Sequence, residues 1–244
     1  MMLRSAVLLV GIVAIATGVV SAQHTVLKTV QIVFHPRCGN APLRFDTSQY
    51  RTVSGPKVTV SMLKFYVTDL ALHPVHGDTL RIPGHYLVDC TDDERMSIRA
   101  SVPYNALGLY SGLSFRIGVD SVVNELGPSA GDLDPINGMY WTWSTGYVFC
   151  KLEGTVEHGS APKRVYEIHI GGYKTPYNNT MLVNGAMAQP VDVASPSARI
   201  DIDVNVDAFF DANPPFNIVA RPSVTDARQA TDVAPRIPEM FRVR

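Results

Sequence analysis

Few residues in this chain have side chains able to do chemistry, and they are scattered. Trp141 and Trp143 stand two apart in Met139-Tyr140-Trp141-Thr142-Trp143. If residues 139–153 form one strand, both indoles share a face with Tyr147 and Phe149, and Tyr140, Val148 and Cys150 take the other. Such aromatics ordinarily pack between sheets, and an indole has no lone pair suited to a metal. His169 interrupts an apolar run, on the face opposite Tyr166 and Ile168. Taken alone it reads as a half-exposed strand histidine, although a neutral imidazole suits copper in either oxidation state. His73 and His76 share a hairpin loop in Leu72-His73-Pro74-Val75-His76-Gly77 and could form a surface copper site, but histidines placed so are more often solvated. His24 would lie next to a new N-terminus at Gln23, with only a weak chelation case, and His85 and His158 show no partner pattern.

Cys38, Cys90 and Cys150 form no CxxC and no zinc-type spacing. At most one pair can form, and they read best as small buried hydrophobes. Asp120, Asn124, Asp132 and Asp134 flank a long Gly-rich loop whose spacing is not that of an EF-hand. Asx-turns and caps account for them. There is no G-x-S-x-G, no H-E-x-x-H and no recognisable Cys–His arrangement, so nothing marks the chain as an enzyme.

The elements that must position these residues read as strands. Val26, Val30, Ile32 and Phe34 line one face of the first run, with Gln31, Val33 and His35 on the other and Pro36 ending it. Runs around Val58–Val60, Leu63–Val67, Leu70–Leu72, Tyr86–Val88 and Leu113–Ile117 follow. Ile200, Ile202, Val204 and Val206 then alternate with Asp201, Asp203, Asn205 and Asp207, the habit of an antiparallel strand with one wet face. The best helix candidates are residues 226–232 and 105–110. No linker, repeat or composition shift divides the chain. The expectation is therefore an all-β, antiparallel β-sandwich, a single domain with short helical segments.

Residues 1–22 read as a signal peptide. Arg4 follows the first methionines, an apolar stretch runs to Val20, and small residues at Ser21 and Ala22 precede Gln23. No cysteine sits at the cleavage point, so the mature protein is expected in the periplasm or outside the cell without a lipid anchor. No later stretch is long and apolar enough to span a bilayer. Lys+Arg number 21 against Asp+Glu 22, a balance that gives no sign of a nucleic-acid partner.

One long segment is more particular. It begins Ile117-Gly118-Val119-Asp120-Ser121 and passes through Asn124, Gly127, Gly131 and Leu133-Asp134-Pro135. It ends Gly138-Met139-Tyr140-Trp141-Thr142-Trp143-Ser144-Thr145-Gly146-Tyr147-Val148-Phe149, then Lys151-Leu152-Glu153-Gly154. With the flanking Leu63-Lys64-Phe65-Tyr66-Val67, Tyr86-Leu87-Val88-Asp89 and His169-Ile170-Gly171-Gly172-Tyr173, it resembles the MbnP-like copper-binding domain family. The resemblance implies an exported β-sandwich over residues 23–244 that holds a copper ion for capture, storage or transfer. It implies His169 as a ligand, His35 as a second, and Trp141 (or Trp143) as the site of oxidation to a kynurenine, which also makes Trp141 a ligand. It implies as partner a di-haem oxidase of the cytochrome c peroxidase type. The rival expectation is a secreted β-sandwich module that recognises a glycan or protein, or an envelope structural component, without metal.

Overall fold

The computed structural model describes residues 27–47, 49–142 and 146–244. The expected signal peptide, Val26, His24 and Trp143 lie outside the described residues. The chain runs through β1 (Leu27–Cys38), β2 (Ala41–Pro42), β3 (Tyr50–Arg51), β4 (Lys57–Pro74), β5 (Leu80–Ile82), β6 (Tyr86–Asp89), β7 (Ser97–Pro103) and β8 (Leu109–Ile117). A short helix, α1 (Ser121–Leu126), and two 3-10 turns then lead to β9 (Tyr140–Trp141) and β10 (Gly146–Glu157). β11 (Arg164–Gly171), β12 (Met181–Asp192), β13 (Arg199–Asn205), α2 (Val206–Asp211), β14 (Ser223–Val224), α3 (Ala227–Thr231) and β15 (Phe241–Val243) complete the chain.

These strands form the expected single-domain β-sandwich. One sheet is ordered β15-β13-β1-β2, with β7 also on β1; the other is ordered β12-β8-β4-β10-β11-β14, with β3, β5 and β6 on β4 and β9 on β10. Pairing is antiparallel except for β1 with β13 and β11 with β14, which are parallel. The alternation along β13 is as its sequence predicts: Ile200, Ile202 and Val204 are buried, and Asp201 and Asp203 lie on the other face. The chain leaves the sheet at Val206, however, where α2 begins.

The 18-residue β4 organises the second sheet. Phe65 pairs with Cys150 of β10 and with Val88 of β6, while Val67 pairs with Ile117 of β8 and Tyr86 of β6. With β6 along one edge, the opposite edge passes from β10 to β8 at this point. The core between the sheets closes on edge-to-face phenyl rings. Phe34 meets Phe65 at 5.4 Å and Phe115 at 6.1 Å, and Phe241 meets the same two rings at 5.1 and 5.5 Å. The C-terminal Pro238-Glu239-Met240-Phe241 segment thus completes the core.

A second apolar cluster lies on the outer face of the β4 sheet. Tyr66 alternates with Phe65 and so points away from the first sheet. It packs with Leu87, Val119, Met139, Trp141, Tyr147 and Phe149 under the segment that connects β8 to β9. The structure corrects two expectations here. Residues 139–153 are not one strand: β9 and β10 form a hairpin in which Trp141 pairs with Gly146 and Tyr140 with Tyr147. The alternating aromatics imitate a strand, but they meet because the chain folds back. Residues 105–110 are not a helix either; a single 3-10 turn ends at Ala106 and β8 starts at Leu109. The other candidate holds, since α3 starts after Asp226, whose side chain caps Gln229 N.

Gly154 marks the tightest contact in the second sheet, at a register shift between β10 and β4. A Cβ there would stand 1.8 Å from the Thr59 carbonyl oxygen and 2.7 Å from the Tyr166 hydroxyl, which donates to that same carbonyl. Gly154→Ala is therefore expected to lower unfolding stability by about 2–3 kcal/mol, the scale of core overpacking. Urea denaturation of the two proteins checks this.

Candidate functional site

The outer face of the β4 sheet carries a row of half-buried charges beside the second cluster. Cross-strand pairing aligns Lys64 of β4 with Lys151 of β10 and Lys151 with His169 of β11. Asp89 of β6 lies 2.8 Å from Lys64 Nζ. Glu153, two residues beyond Lys151 on the same face, meets Lys151 Nζ at 3.3 Å and His169 Nε2 at 2.7 Å. Lys151 Nζ also donates to the Gly138 carbonyl, which ties the row to the connecting segment. The hydrogen bond from His169, with Lys151 nearby, holds the Glu153 carboxyl below the usual carboxylate range. Burial alone would raise the Asp89 carboxyl, but the bonds from Lys64 and Thr91 outweigh it and hold Asp89 low as well.

Trp141 joins this face through Gly171. A Cβ on Gly171 would stand 2.6 Å from Trp141 Cζ3, so the indole occupies the space a side chain would need. Gly171 follows His169 by two residues on β11, which puts both on one face about 7 Å apart along the strand. Trp141 is only 2% exposed. A cleft of about 210 Å³ reaches its ring between Gly146, Tyr173, Lys174 and Tyr177. Tyr147 is fully buried, and its hydroxyl donates to the Leu133 carbonyl at 3.0 Å. Its backbone N–H donates to Asn124 Oδ1, which fixes α1 over the hairpin.

The sequence-predicted residues therefore divide. His169 and Trp141 share one face, with Trp141 over Gly171, two residues along β11 from His169. His35 is not with them: on β1 it alternates with the core residue Phe34, so it emerges on the outer face of the other sheet. There it meets Asp201 at 2.6 Å. Two sheets about 10 Å apart separate the imidazoles, and one ion cannot take both. The expected pairing of His35 with His169 is corrected on that ground. Periodicity assigns each residue an outward direction, but it does not say which sheet is involved.

Other candidates are taken up by caps and by hydrogen bonds between elements. His73 lies between Ser114 Oγ, at 2.8 Å, and Thr79 Oγ1, at 3.3 Å, while His76 stays in the exposed turn. Asp120 caps α1 and meets His85 at 2.8 Å; Asp134 caps the next turn; Asp132 accepts from Leu87 N and Arg95. All three cysteines are free. Cys90 and Cys150 are buried, and burial pushes the Cys150 thiol up to about 12. Burial, with Asp207 and Asp211 close by, does the same to Cys38. Among the described residues, no three His, Cys, Asp or Glu side chains converge as a metal site. None of their helices is long and apolar enough to cross a membrane.

A family model described as MbnP matches residues 27–226. The chain belongs to the MbnP family. Among solved structures, MbnP from Methylosinus trichosporium is similar in fold, with a TM-score of 0.55 at 14% sequence identity, over 89% of this chain and 98% of that one. No protein of curated function matches. The MbnP match stops before α3 and β15, although β15 supplies Phe241 to the core of this member. The signature segment noted in the sequence, together with its three flanking pieces, builds the second cluster and the charged row. What sequence reasoning missed was Gly171. The only available signal was the Gly171-Gly172 pair at the end of an otherwise apolar strand.

Gly171→Ala is expected to push the Trp141 ring out of its seat. In a Trp143→Phe background, Trp141 emission should shift to the red and acrylamide quenching should rise. The carboxylates set a pH dependence. Because Glu153 and Asp89 ionise below their ordinary range when folded, their contribution is complete above the unfolded value of about 4 and is lost as pH falls through the lower folded values. Stability measured by denaturant should fall from pH ~5 towards pH ~2. Lys64→Met should destabilise most at neutral pH and flatten that fall.

Proposed function

We propose that this MbnP-family protein is an exported copper-binding protein, not an enzyme, whose cargo ion is held at the His169–Trp141 face. The observation that carries this reading is the Trp141 ring seated on Gly171, two residues from His169 on the same face. As encoded, the face is short of donors: His169 offers an imidazole, Glu153 offers a carboxylate already paired with it, and the indole offers none. Oxidation of Trp141 to a kynurenine adds an aniline nitrogen and a ketone oxygen there, which supplies what is missing. The cleft beside Tyr173 and Tyr177 gives the ring its contact with the surface. A di-haem oxidase of the cytochrome c peroxidase type is the partner suited to that oxidation, and residues 1–22 would direct the chain to the periplasm or cell exterior where the two meet.

Glu153 supports the same reading. With His169 Nε2–H donating to it, Nδ1 keeps the lone pair and becomes the ligand atom, the arrangement in which a carboxylate orients and polarises a metal-binding imidazole. The decisive experiment is copper and peptide analysis of the mature protein from its own host. Stoichiometric copper and a kynurenine mass on the Trp141 peptide are expected. His169→Ala should lose the copper, His35→Ala should keep it, and Glu153→Gln should bind it about tenfold or more weakly. A host-purified protein without copper that takes up no Cu(I) anaerobically would overturn the reading. Full copper on an unmodified Trp141 would overturn the kynurenine ligand.

A further inference from the structure

The opposite side of the molecule carries a surface of another kind. On the outer face of the sheet formed by β7, β1, β13 and β15, Gln31 is paired with Arg99 on one neighbouring strand and with Arg199 on the other. Asp203 is paired with Arg242 in the same way. Arg37 and Arg244 reach this face too, and each meets Asp203. Arg199 and His35 both meet Asp201. Five guanidiniums therefore face Asp201 and Asp203 on the sheet and Asp93 at its rim, in a protein whose formal charge is −1. Arg99 and Arg242 are exposed, and among the described residues neither meets a carboxylate.

The row Arg99–Gln31–Arg199 crosses three strands, so the two arginines start about 10 Å apart on one face. A groove of about 480 Å³ runs between them, bordered by Thr29, Ser101 and Ser197. Guanidiniums pair carboxylate, sulfate or phosphate through two parallel hydrogen bonds. The amide and the three hydroxyls between them suit a ligand that is itself covered in hydroxyls. Among the described residues Leu27 is exposed at one end of this face and Tyr104 just past the end of β7, and neither lines the groove between Arg99 and Arg199. A lipid surface would call for apolar insertion, and a protein partner for an aromatic or apolar anchor.

We propose that this face binds an acidic polysaccharide. Arg99 and Arg199 pair its carboxylate or sulfate groups, and Gln31, Thr29, Ser101 and Ser197 meet its hydroxyls. The proposal is independent of copper, because the His169–Trp141 face lies on the other side of the sandwich. It is tested with the full mature chain on immobilised heparin and with soluble polygalacturonate, across a salt series. The wild-type protein should be retained at low salt despite its formal charge and should elute as salt screens the contact. Arg99→Ser with Arg199→Ser should elute earlier and bind polygalacturonate about tenfold or more weakly. Arg81→Ser with Arg164→Ser, an equal loss of two charges on the other sheet, should change neither. Flow-through of the wild type, indifference to the double substitution, or a preference for phosphatidylglycerol vesicles over both polymers would overturn the proposal.

Discussion

The arrangement of the outer face depends on the missing side chain at Gly171. Even a methyl group there would meet the Trp141 ring and, at 2.8 Å, the Tyr147 carbonyl oxygen. Because that space is open, the β9–β10 hairpin lies flat on the sheet and Tyr147 can sink beneath the connecting segment. Tyr147 in turn ties that segment down, through its hydroxyl to Leu133 and its N–H to Asn124. The second apolar cluster, the cleft at Trp141 and the closeness of Trp141 to His169 all follow from one close approach of a ring to a backbone.

Much of this fold was legible in the sequence, because strands with one wet face declare themselves by alternation. β13 is the plainest case, with three buried aliphatics between two aspartates and an asparagine. Pairing partners were not legible. Nothing in the residues of β1 says that β13 lies parallel beside it, since both strands have the same two-faced pattern that an antiparallel pair would need. The hairpin at residues 139–153 misled for a related reason. Aromatics at every second position are what a strand shows, and they are also what a tight hairpin shows when both arms press on one cluster.

The candidate site was legible in part, with the same division. His169 and Trp141 are distant in sequence and are joined only by the packing of β9 over β11. The family resemblance marked both residues, while their own neighbourhoods marked neither. His35 was marked as well, yet it lies across the sandwich, because an outward-facing residue on either sheet leaves the same trace in a single sequence. Asp120 and Asp134 of the loop before β9 were read correctly for the opposite reason, whereas Asp132, which accepts from Leu87 N and Arg95, is no local cap. Capping is a local act, and Asp120 and Asp134 stand immediately before the turns they cap.

Glu153 shows why structure and chemistry cannot be separated on this face. Its carboxylate satisfies His169 and Lys151 and is kept ionised by them, and Lys151 in turn fastens the connecting segment at Gly138. The same bond sets Nε2 of His169 against the carboxylate and so fixes the ring's orientation. Had Glu153 been neutral, the imidazole would have been free to turn, and the row would have lost the negative charge beside Lys151. A half-buried charge row of this kind is costly unless each member is paired. Here the pairing that removes that cost is also the pairing that orients the imidazole on the face that carries Trp141.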